Sequence, residues 1–217
     1  MKKIIIIGSK GNGSVIASSL EDIIQKKNDW QIAGYLNDDY GKEKYIFDIP
    51  IIGKVEDYKK FLEDGYHFIY ALTTVKKAKS RYELFRSLNI PAERLPTFLH
   101  STAVIPKHVK LGYGVIIMPG VIISPGAIIG NLTQIYGNGF IGHDTSLGEF
   151  SFVSNNASLG SKIIGGIGAH YGTNCSIRGN IKIGSWAVCG IGSVVVKDVP
   201  EDAIVVGNPA KELKKDV

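Results

Sequence analysis

Residues 129–160 read IGNLTQ-IYGNGF-IGHDTS-LGEFSF-VSNNAS-LG, a series of six-residue blocks that each begin with Ile, Leu or Val. The same phase holds at sixteen positions from Ile105 to Val195, and thirteen of these are Ile, Leu or Val. Glycine follows the first residue in nine of the sixteen blocks. A period of six fits neither an α-helix nor a coiled coil, so the stretch predicts a repetitive solenoid.

Each six-residue block is interpreted as one flat side of a prism. The apolar first residue points inward, the glycine eases the corner, and the small or β-branched fifth residue packs the interior. Three sides close one coil of 18 residues, and coils stack at the strand spacing of about 4.8 Å. The repeat therefore predicts a parallel β-helix, and apolar residues on its flat faces favour association into a trimer.

Composition limits the class of protein. The chain has 217 residues, of which 44% are hydrophobic and 21% charged, so it can bury a core and is not a disordered chain. No apolar stretch is long enough to predict a transmembrane helix, and the run Ile4–Ile7 is too short for a signal peptide. Two Cys residues favour a reducing, cytoplasmic location. The net charge of +5 is a mild excess without an aromatic-interleaved basic stripe, so nucleic acid is not a predicted partner.

The first hundred residues differ in character from the rest. They hold 7 of the 26 glycines and alternate apolar runs with amphipathic stretches. The apolar runs predict strands, and the stretches between them predict helices. The predicted strands are Ile4–Ile7, Gln31–Leu36, Ile49–Ile52 and His67–Leu72, and the predicted helices are Val15–Ile24, Glu56–Leu62 and Lys76–Leu88. The pattern predicts a Rossmann-like α/β domain over residues 1–99 and a β-helix domain over residues 100–217.

A glycine-rich loop, Gly8-Ser9-Lys10-Gly11-Asn12-Gly13, separates the first strand from the first helix. Backbone N–H groups at that helix N-terminus favour a phosphate. The spacing G-x-x-G-x-G is not the dinucleotide pattern, so NAD is not specified. The pair Asp38-Asp39 ends the second strand, where a carboxylate accepts a hydrogen bond from a ribose hydroxyl or a base N–H. The alternative is a tight turn followed by a solvated acidic loop.

Several motifs together resemble one enzyme family. The repeat has the form [Leu/Ile/Val]-Gly-x-x-small-x, and the tail contains VVVKDVP at 194–200 and VVGNPAK at 205–211. The front half contains IIIGSKGNG at 5–13, LNDDY at 36–40 and HSTAVI at 100–105. The chain resembles the left-handed β-helix, or hexapeptide-repeat, acyltransferases. Within them it is similar to bacterial sugar acetyltransferases with a nucleotide-binding front domain, which include the nucleotide-sugar 4-N-acetyltransferases of the bacillosamine and perosamine pathways and the sialic acid O-acetyltransferases.

The resemblance implies that His143 is the general base and that Asp144 raises its basicity and holds its tautomer. The repeat agrees, because His143 is the third residue of the block that begins at Ile141 and therefore projects outward. A neutral imidazole is suited to take a proton near neutral pH. The resemblance implies direct transfer from acetyl-CoA with no acyl-enzyme. Cys175 and Cys189 occupy inward positions of the repeat, which predicts core packing instead of a nucleophilic role.

The resemblance also implies two binding regions. The acceptor nucleotide would contact residues of the front domain: Lys10, Gly11, Asn12, Asp38, Asp39 and Thr73. Acetyl-CoA would lie between neighbouring subunits of a homotrimer, against Phe152, Thr173, Gly190 and Ile191. A helix-like segment, Lys211–Lys215, would add positive charge near the CoA phosphates. Asn12, Tyr136 and Phe152 differ from the family pattern, and these departures leave the acceptor sugar open.

The predicted function is acetyl-CoA-dependent N-acetylation of a 4-amino-4,6-dideoxy sugar on a nucleotide carrier, for surface glycan synthesis. The nearest alternative is O-acetylation of a sugar hydroxyl, as in the sialic acid enzymes. A non-catalytic trimeric scaffold and a zinc enzyme that hydrates carbon dioxide are weaker alternatives. The zinc site needs His residues on adjacent coils, but His108, His143 and His170 are separated by 35 and 27 residues, neither a multiple of 18. No metal is therefore predicted, and neither the base nor the sugar is specified.

Overall fold

The computed structural model describes residues 1–8, 10–27, 29–38 and 41–213. The chain divides into two compact units, Met1–His100 and Ser101–Val217. This division lies next to the predicted boundary between residues 99 and 100. In the described parts of the chain, no helix is both long and apolar enough to cross a membrane.

The first unit is built on a five-stranded sheet with the order β3-β4-β2-β1-β5. Strands β1, β2, β4 and β5 pair in parallel, and β3 pairs with β4 as an antiparallel hairpin. The strands are β1 (Lys2–Ile7), β2 (Trp30–Leu36), β3 (Tyr45–Ile46), β4 (Ile49–Gly53) and β5 (His67–Tyr70). The four strands predicted from the sequence are therefore present, and the short strand β3 was not predicted.

The described residues of the first unit form three α-helices: the first joins β1 to β2, the second joins β4 to β5, and the third follows β5. They are α1 (Asn12–Lys27), α2 (Tyr58–Glu63) and α3 (Ala78–Leu88). Short 3-10 helices, Val55–Asp57 and Val75–Lys77, precede α2 and α3, and a third covers Ala92–Arg94. The predicted helices thus exist, although the second and third begin with a 3-10 turn in place of an α-helical one.

Strand β1 is an interior strand of the sheet, between β2 and β5, and its residues Ile4 to Ile7 are completely buried. A run that is apolar on both faces suits a parallel strand covered on both sides. Strands β2 and β5 flank β1 on opposite sides. The connections to these two strands therefore run in opposite directions across the sheet, and they separate at the carboxyl end of β1. Parallel α/β sheets bind ligands at such a point, so the glycine loop that follows β1 occupies the favoured position.

The second unit consists of two- and three-residue strands that recur along the repeat. Face 1 contains β7 (Lys110–Leu111), β10 (Ile128–Ile129), β13 (Ser146–Leu147), β16 (Ile164–Gly165) and β19 (Lys182–Ile183). Face 2 contains β8 (Ile116–Ile117), β11 (Gln134–Ile135), β14 (Phe152–Val153), β17 (His170–Tyr171), β20 (Val188–Cys189) and β22 (Ile204–Val206). Face 3 contains β9 (Ile122–Ile123), β12 (Phe140–Ile141), β15 (Ser158–Leu159), β18 (Ser176–Ile177) and β21 (Val194–Val195). Strand β6 (Phe98–Leu99) precedes these, and β23 (Lys211–Glu212) follows them.

The register of the three faces confirms the predicted coil. On face 2, Gln134 pairs with Phe152 and Phe152 pairs with His170, all in parallel. Each partner is one 18-residue coil further along the chain, as the six-residue repeat predicts. From Ile117 to Val195, the apolar first residues of the blocks are buried in one continuous core, and Ile105 and Leu111 pack against it partly buried. The predicted fold class, an α/β domain followed by a parallel β-helix, is confirmed.

The glycines of the repeat act differently from the prediction. Backbone φ is positive two residues after the usual glycine position, at every sixth residue from Gly114 to Gly192, and these positions hold mainly Gly, Asn and Asp. The glycine that follows the inward residue lies against the backbone of the next coil. At Gly142 an added Cβ would lie 2.5 Å from the carbonyl carbon of Gly160. Glycine there permits close stacking of coils, and the corner itself is made two residues later.

Two exceptions in the repeat compensate for each other. Gly165 and Tyr171 both stand where the repeat places an aliphatic inward residue, and the Tyr171 side chain is completely buried in the core. A Cβ added at Gly165 would overlap the Tyr171 hydroxyl oxygen. The tyrosine ring therefore occupies the space that the missing side chain at Gly165 leaves, and the core stays filled without a shift of the repeat.

The end of the chain returns along the last coil. Strand β23 pairs antiparallel with β22, and the backbone N–H of Ala210 donates to the Val194 carbonyl at 2.8 Å. The prediction of a helix-like segment over Lys211–Lys215 is therefore wrong for Lys211 and Glu212, which form the strand, and residues 214–217 lie outside the described part. The backbone N–H of Leu213 donates to the Ile204 carbonyl at 2.7 Å, which holds the segment extended.

Candidate active site

His143 and Asp144 form the corner that joins face 3 to face 1. They lie between β12 and β13, and Asp144 has a φ of 57°. The Asp144 N–H donates to the Pro125 carbonyl at 3.1 Å, and the His143 carbonyl accepts from the Lys162 N–H at 2.9 Å. The corner is therefore fixed by hydrogen bonds to the coils on both sides. Aspartate is among the residues that tolerate the left-handed region best.

The two side chains of this corner are paired and face solvent. Nδ1 of His143 lies 2.8 Å from Oδ2 of Asp144. Their side chains are 54% and 57% exposed, so the predicted outward position of His143 is confirmed. A carboxylate only accepts hydrogen bonds, so Nδ1 of the neutral imidazole carries the proton and Nε2 keeps its lone pair. The arrangement can take a proton from an incoming nucleophile at Nε2.

Neighbouring residues make room for this pair and hold the chain beneath it. A Cβ added at Gly126, one coil earlier, would overlap Oδ1 of Asp144. Buried Thr145 donates from Oγ1 to the Gly160 carbonyl at 2.9 Å and accepts from the Ile163 N–H at 3.2 Å. The hydroxyl thus ties the residue after the pair to the next coil. This fastening limits the freedom of the backbone that carries His143 and Asp144.

The residues predicted to bind acetyl-CoA lie elsewhere on the β-helix. Thr173 and Ile191 are the first residues of two turns between face 2 and face 3, one coil apart, and the Gly192 N–H donates to the Thr173 carbonyl at 2.9 Å. Gly190 precedes Ile191, and Phe152 stands on the outer side of face 2. Ile191 is 79% exposed. Thr173, Gly190 and Ile191 therefore border one corner, between faces 2 and 3, whereas Phe152 lies on face 2.

Within one chain, the corner that holds Thr173 and Ile191 is separate from the corner that holds His143. The corner of His143 joins faces 3 and 1, whereas the corner of Thr173 and Ile191 joins faces 2 and 3. Successive corners of a closed coil are different edges of the prism. One chain thus holds the predicted base on one edge and the predicted acetyl-CoA contacts on another.

A row of aromatic side chains covers the middle of face 2. The Phe152 and His170 rings stack with a centroid distance of 5.1 Å and an interplanar angle of 3°, and the Tyr136 ring lies 4.8 Å from that of Phe152. Burial lowers the pKa of His170 to about 4. The outward side chain of His170 is partly buried beneath this row. His170 is therefore neutral at pH 7 and remains distinct from the exposed His143.

The two cysteines do not offer a nucleophile. Both are buried and unoxidised. Burial raises the pKa of each thiol to about 12. The reactive form of cysteine is the thiolate, so both residues act as core side chains, in agreement with their inward positions in the repeat.

The glycine loop of the first unit borders a cavity of about 280 Å³. The Asn12 amide donates from Nδ2 to the Thr73 carbonyl at 2.7 Å and to Thr73 Oγ1 at 2.9 Å. This pair of bonds joins the start of α1 to the loop after β5. Lys10, Gly11, Asn12 and Thr73, four of the six predicted nucleotide contacts, thus line one cavity. Lys10 also forms an ion pair with Glu43, with Nζ 2.6 Å from Oε1.

Sequence reasoning missed Arg81, which lines the same cavity from helix α3. The guanidinium is permanently charged and matches the geometry of phosphate oxygens. Together with Lys10 and the amino end of α1, it makes this cavity suited to an anion. The amphipathic pattern of residues 76–88 had identified the helix, but it carried no signal that one arginine faces the glycine loop.

The acidic pair after β2 is only partly described. Asp38 accepts from the Val55 N–H at 3.2 Å through Oδ1, so it contacts the 3-10 helix that begins there. Its side chain is exposed and does not line the cavity of the glycine loop. Asp39 lies outside the described residues. Asp38 therefore has a structural contact, and its role toward a nucleotide stays a prediction.

Known proteins resemble the two units. The family described as PglD N-terminal domain matches residues 3–86. Serine acetyltransferase 2 of Arabidopsis thaliana is 32% identical over 154 residues, which cover 69% of this chain and 43% of that protein. The chain spans less than half the length of the first curated relatives that it matches.

Solved structures match almost the whole chain. The acetyltransferase domain of PglB from Neisseria gonorrhoeae, in complex with acetyl coenzyme A, has a TM-score of 0.84 at 23% identity and covers 98% of this chain and 99% of that chain. A variant of perosamine N-acetyltransferase from Caulobacter crescentus, in complex with CoA and GDP-perosamine, has a TM-score of 0.75 at 25% identity and covers 99% and 98%. The predicted resemblance to hexapeptide-repeat sugar acetyltransferases is therefore confirmed. The chain has the fold of these left-handed β-helix enzymes, and its homologues are acetyltransferases.

Proposed function

We propose that the chain is an acetyl-CoA-dependent N-acetyltransferase that acts on the 4-amino group of a nucleotide-linked 4-amino-4,6-dideoxy sugar. The observation that carries this proposal is the pair formed by His143 Nδ1 and Asp144 Oδ2, 2.8 Å apart on an exposed corner. It leaves Nε2 of His143 free of the carboxylate and open to a substrate. A general base within reach of an amine is what direct acetyl transfer requires.

The chemistry follows from this tautomer. The amine nitrogen attacks the thioester carbonyl carbon of acetyl-CoA, and Nε2 of His143 takes the proton that the nitrogen loses. The C–S bond then breaks, and the thiolate of CoA receives a proton from the imidazolium. The products are an acetamido sugar and CoA thiol. Asp144 stabilises the transient imidazolium through Nδ1–H, which is the role of a carboxylate behind a catalytic histidine.

The first unit supports a nucleotide-linked acceptor. Its cavity combines Lys10 and Arg81 with the amino end of α1, a set that favours phosphate groups. The related perosamine N-acetyltransferase was solved with CoA and GDP-perosamine, and the PglB domain with acetyl coenzyme A. Both ligands are therefore expected for this chain, with the base and the sugar still to be identified.

A homotrimer is part of the proposal. The His143 corner and the Thr173 and Ile191 corner are separate edges of one β-helix, so a complete site needs edges from two copies. Large apolar side chains are exposed on face 3, including Ile122 at 45% and Phe140 at 39%. Such residues suit burial against a second copy. Light scattering after size exclusion should give three chain masses, and a monomer that is active at high dilution would contradict this arrangement.

The test of function is a thiol-release assay with acetyl-CoA. UDP-, GDP- and dTDP-linked 4-amino sugars serve as acceptors, with free sialic acid and serine in parallel. We expect turnover with one of the amino sugars. Turnover of sialic acid or serine alone would replace N-acetylation by O-acetylation, and no turnover with any acceptor would favour a scaffold.

The base is tested by His143→Asn, which should lower kcat by about 10²–10⁴. His108→Asn is the matched control, because His108 is also exposed at a corner between faces 3 and 1 and should leave kcat unchanged. Asp144→Asn keeps a residue that tolerates positive φ and should cause a smaller loss, since its amide oxygen still accepts from Nδ1–H and only the negative charge is removed. Wild-type turnover in His143→Asn would remove this histidine from the mechanism.

A further inference from the structure

A second cavity in the first unit lies between helix α1 and the β3–β4 hairpin. Its volume is about 260 Å³. Ser14, Ser18 and Glu21 line it from one side of α1, at the spacing that places residues on a common helix face. Phe47 and Asp48, the two residues of the hairpin turn, line the opposite side. None of these residues has a part in the acetyl transfer proposed above.

Tyr35 contributes a buried hydroxyl to this cavity. The side chain is completely buried, and its Oη has no hydrogen-bond partner among the residues that the structure describes. Burial, with a smaller contribution from Glu21, raises the pKa of Tyr35 to about 12, so the phenol stays protonated. A buried hydroxyl without a partner is costly. Because Tyr35 also lines the cavity, this oxygen points to a bound molecule that donates a hydrogen bond to it.

The charge of this cavity is opposite to that of the glycine-loop cavity. Glu21 and Asp48 are exposed carboxylates, and neither forms an ion pair with any described residue. The glycine-loop cavity instead carries Lys10 and Arg81. Two carboxylates that form no ion pair with a described residue repel phosphate and attract a cation. The second cavity is therefore not an extension of a phosphate site.

Phe47 adds an aromatic ring in an unfavourable backbone conformation. It is the first residue of the two-residue turn between β3 and β4, and its φ is 51°. Two-residue turns with a positive φ only at this position normally hold glycine. The ring is 78% exposed although it lines the cavity. A strained, exposed aromatic residue beside carboxylates suits a role in contacting a cation through its ring face.

We propose that this cavity binds the primary ammonium group of a small organic amine. Glu21 and Asp48 supply its counter-charge, Tyr35 Oη and Ser18 Oγ accept N–H bonds, and Phe47 contacts the ammonium or the adjoining carbon chain. The volume, below the usual range for drug-sized ligands, limits the amine to a small molecule. This site belongs to the first unit alone and goes beyond the proposed acetyl transfer.

The experiment measures binding to the full chain by calorimetry and by the shift in melting temperature. The probes are n-butylammonium, n-butanol and butyrate, which share a carbon chain and differ in charge, with Mg²⁺ and Na⁺ added separately. We expect butylammonium alone to bind and to raise the melting temperature. Glu21→Gln and Tyr35→Phe should each weaken its affinity by about tenfold. Glu63→Gln, an exposed carboxylate on α2 outside the cavity, is the matched control and should leave the affinity unchanged.

Phe47→Gly separates a ligand role from a purely structural one. Glycine relieves the positive φ, so the free variant should melt at a higher temperature, while the added shift from butylammonium should shrink. The proposal is overturned if butanol or the inorganic cations match butylammonium. It is also overturned if the amine does not bind, or if Glu21→Gln and Tyr35→Phe bind it as the wild type does. Acetyl transfer is assayed separately, and its outcome does not affect this test.

Discussion

Because the Tyr171 ring fills the space beside Gly165, the effects of substitutions at these two positions on the free energy of unfolding should depend on each other. Gly165→Ala adds a Cβ that overlaps the Tyr171 hydroxyl oxygen. Apart from Tyr171, the nearest atom to the new Cβ is 3.4 Å away, an ordinary contact. Overpacking of this kind costs about 3 kcal/mol. The single substitution Tyr171→Ile empties half of a fully buried ring site and costs about 2 kcal/mol.

The double variant should recover most of this loss. Alanine at 165 and isoleucine at 171 together fill about the space of the one tyrosine, because aliphatic CH2 and CH3 groups occupy more volume than aromatic CH groups. Volume-conserving changes cost less than about 1.5 kcal/mol. The Tyr171 hydroxyl also has no partner among the described residues, so its removal leaves no broken hydrogen bond. The two single losses sum to about 5 kcal/mol, and the expected coupling is about 3 kcal/mol, the upper end for residues in contact.

A double-mutant cycle measures this coupling by urea unfolding, followed by circular dichroism at one fixed chain concentration. Gly130→Ala is the control, because its Cβ would meet the backbone N of Glu149 at 2.5 Å. That clash is with backbone and cannot be relieved by Tyr171→Ile, so those two changes should add. Additivity of Gly165→Ala and Tyr171→Ile within about 0.5 kcal/mol would refute the compensation.

Three further outcomes are expected. Arg81→Gln should raise KM for the nucleotide sugar about tenfold with little change in kcat. Arg86→Gln, on the exposed side of α3, is the control and should leave KM unchanged. A KM in Arg81→Gln equal to that of the wild type would mean that this cavity does not bind the phosphates. Burial lowers the pKa of His170 in the folded chain to about 4, below its ordinary value of 6.5, so between these two pH values only the unfolded chain binds this proton. The free energy of unfolding should therefore fall by about 2 kcal/mol from pH 7 to 4.5, and urea unfolding of His170→Gln should show a decrease smaller by that amount. The same pH dependence in His170→Gln as in the wild type would contradict the burial of this side chain. Cys175 and Cys189 should react with a disulfide reagent at least about 100-fold more slowly in the folded chain than in urea, and rapid labelling would mean that the interior opens.

The repeat could be predicted well because its information is local. An inward residue at every sixth position reflects the alternation between core and surface within one side of the prism. That periodicity also placed His143 outward and both cysteines inward. The reason for the repeat glycines was not visible, because it lies in the distance to the backbone of a coil 18 residues away, as at Gly142.

The candidate site was predicted unevenly for the same reason. Lys10, Gly11 and Asn12 are neighbours in sequence, and the resemblance placed Thr73 with them. Arg81 joins them only because α3 packs beside the glycine loop. The tail had predicted a helix, yet pairing with β22 makes it a strand. The roles of these residues toward nucleotide and acetyl-CoA, and the cytoplasmic location, stay predictions.

The sequence by itself determined the six-residue phase, the division near residue 100 and the outward side of His143. These depend on which residues avoid water along a short stretch of chain. Only the tertiary structure decided that Tyr171 fills the space beside Gly165, that Asp144 rests above Gly126, and that Tyr35 meets Glu21 at one cavity. Such contacts join residues from different coils or elements, and their distances depend on how the backbone stacks, which a linear pattern does not record.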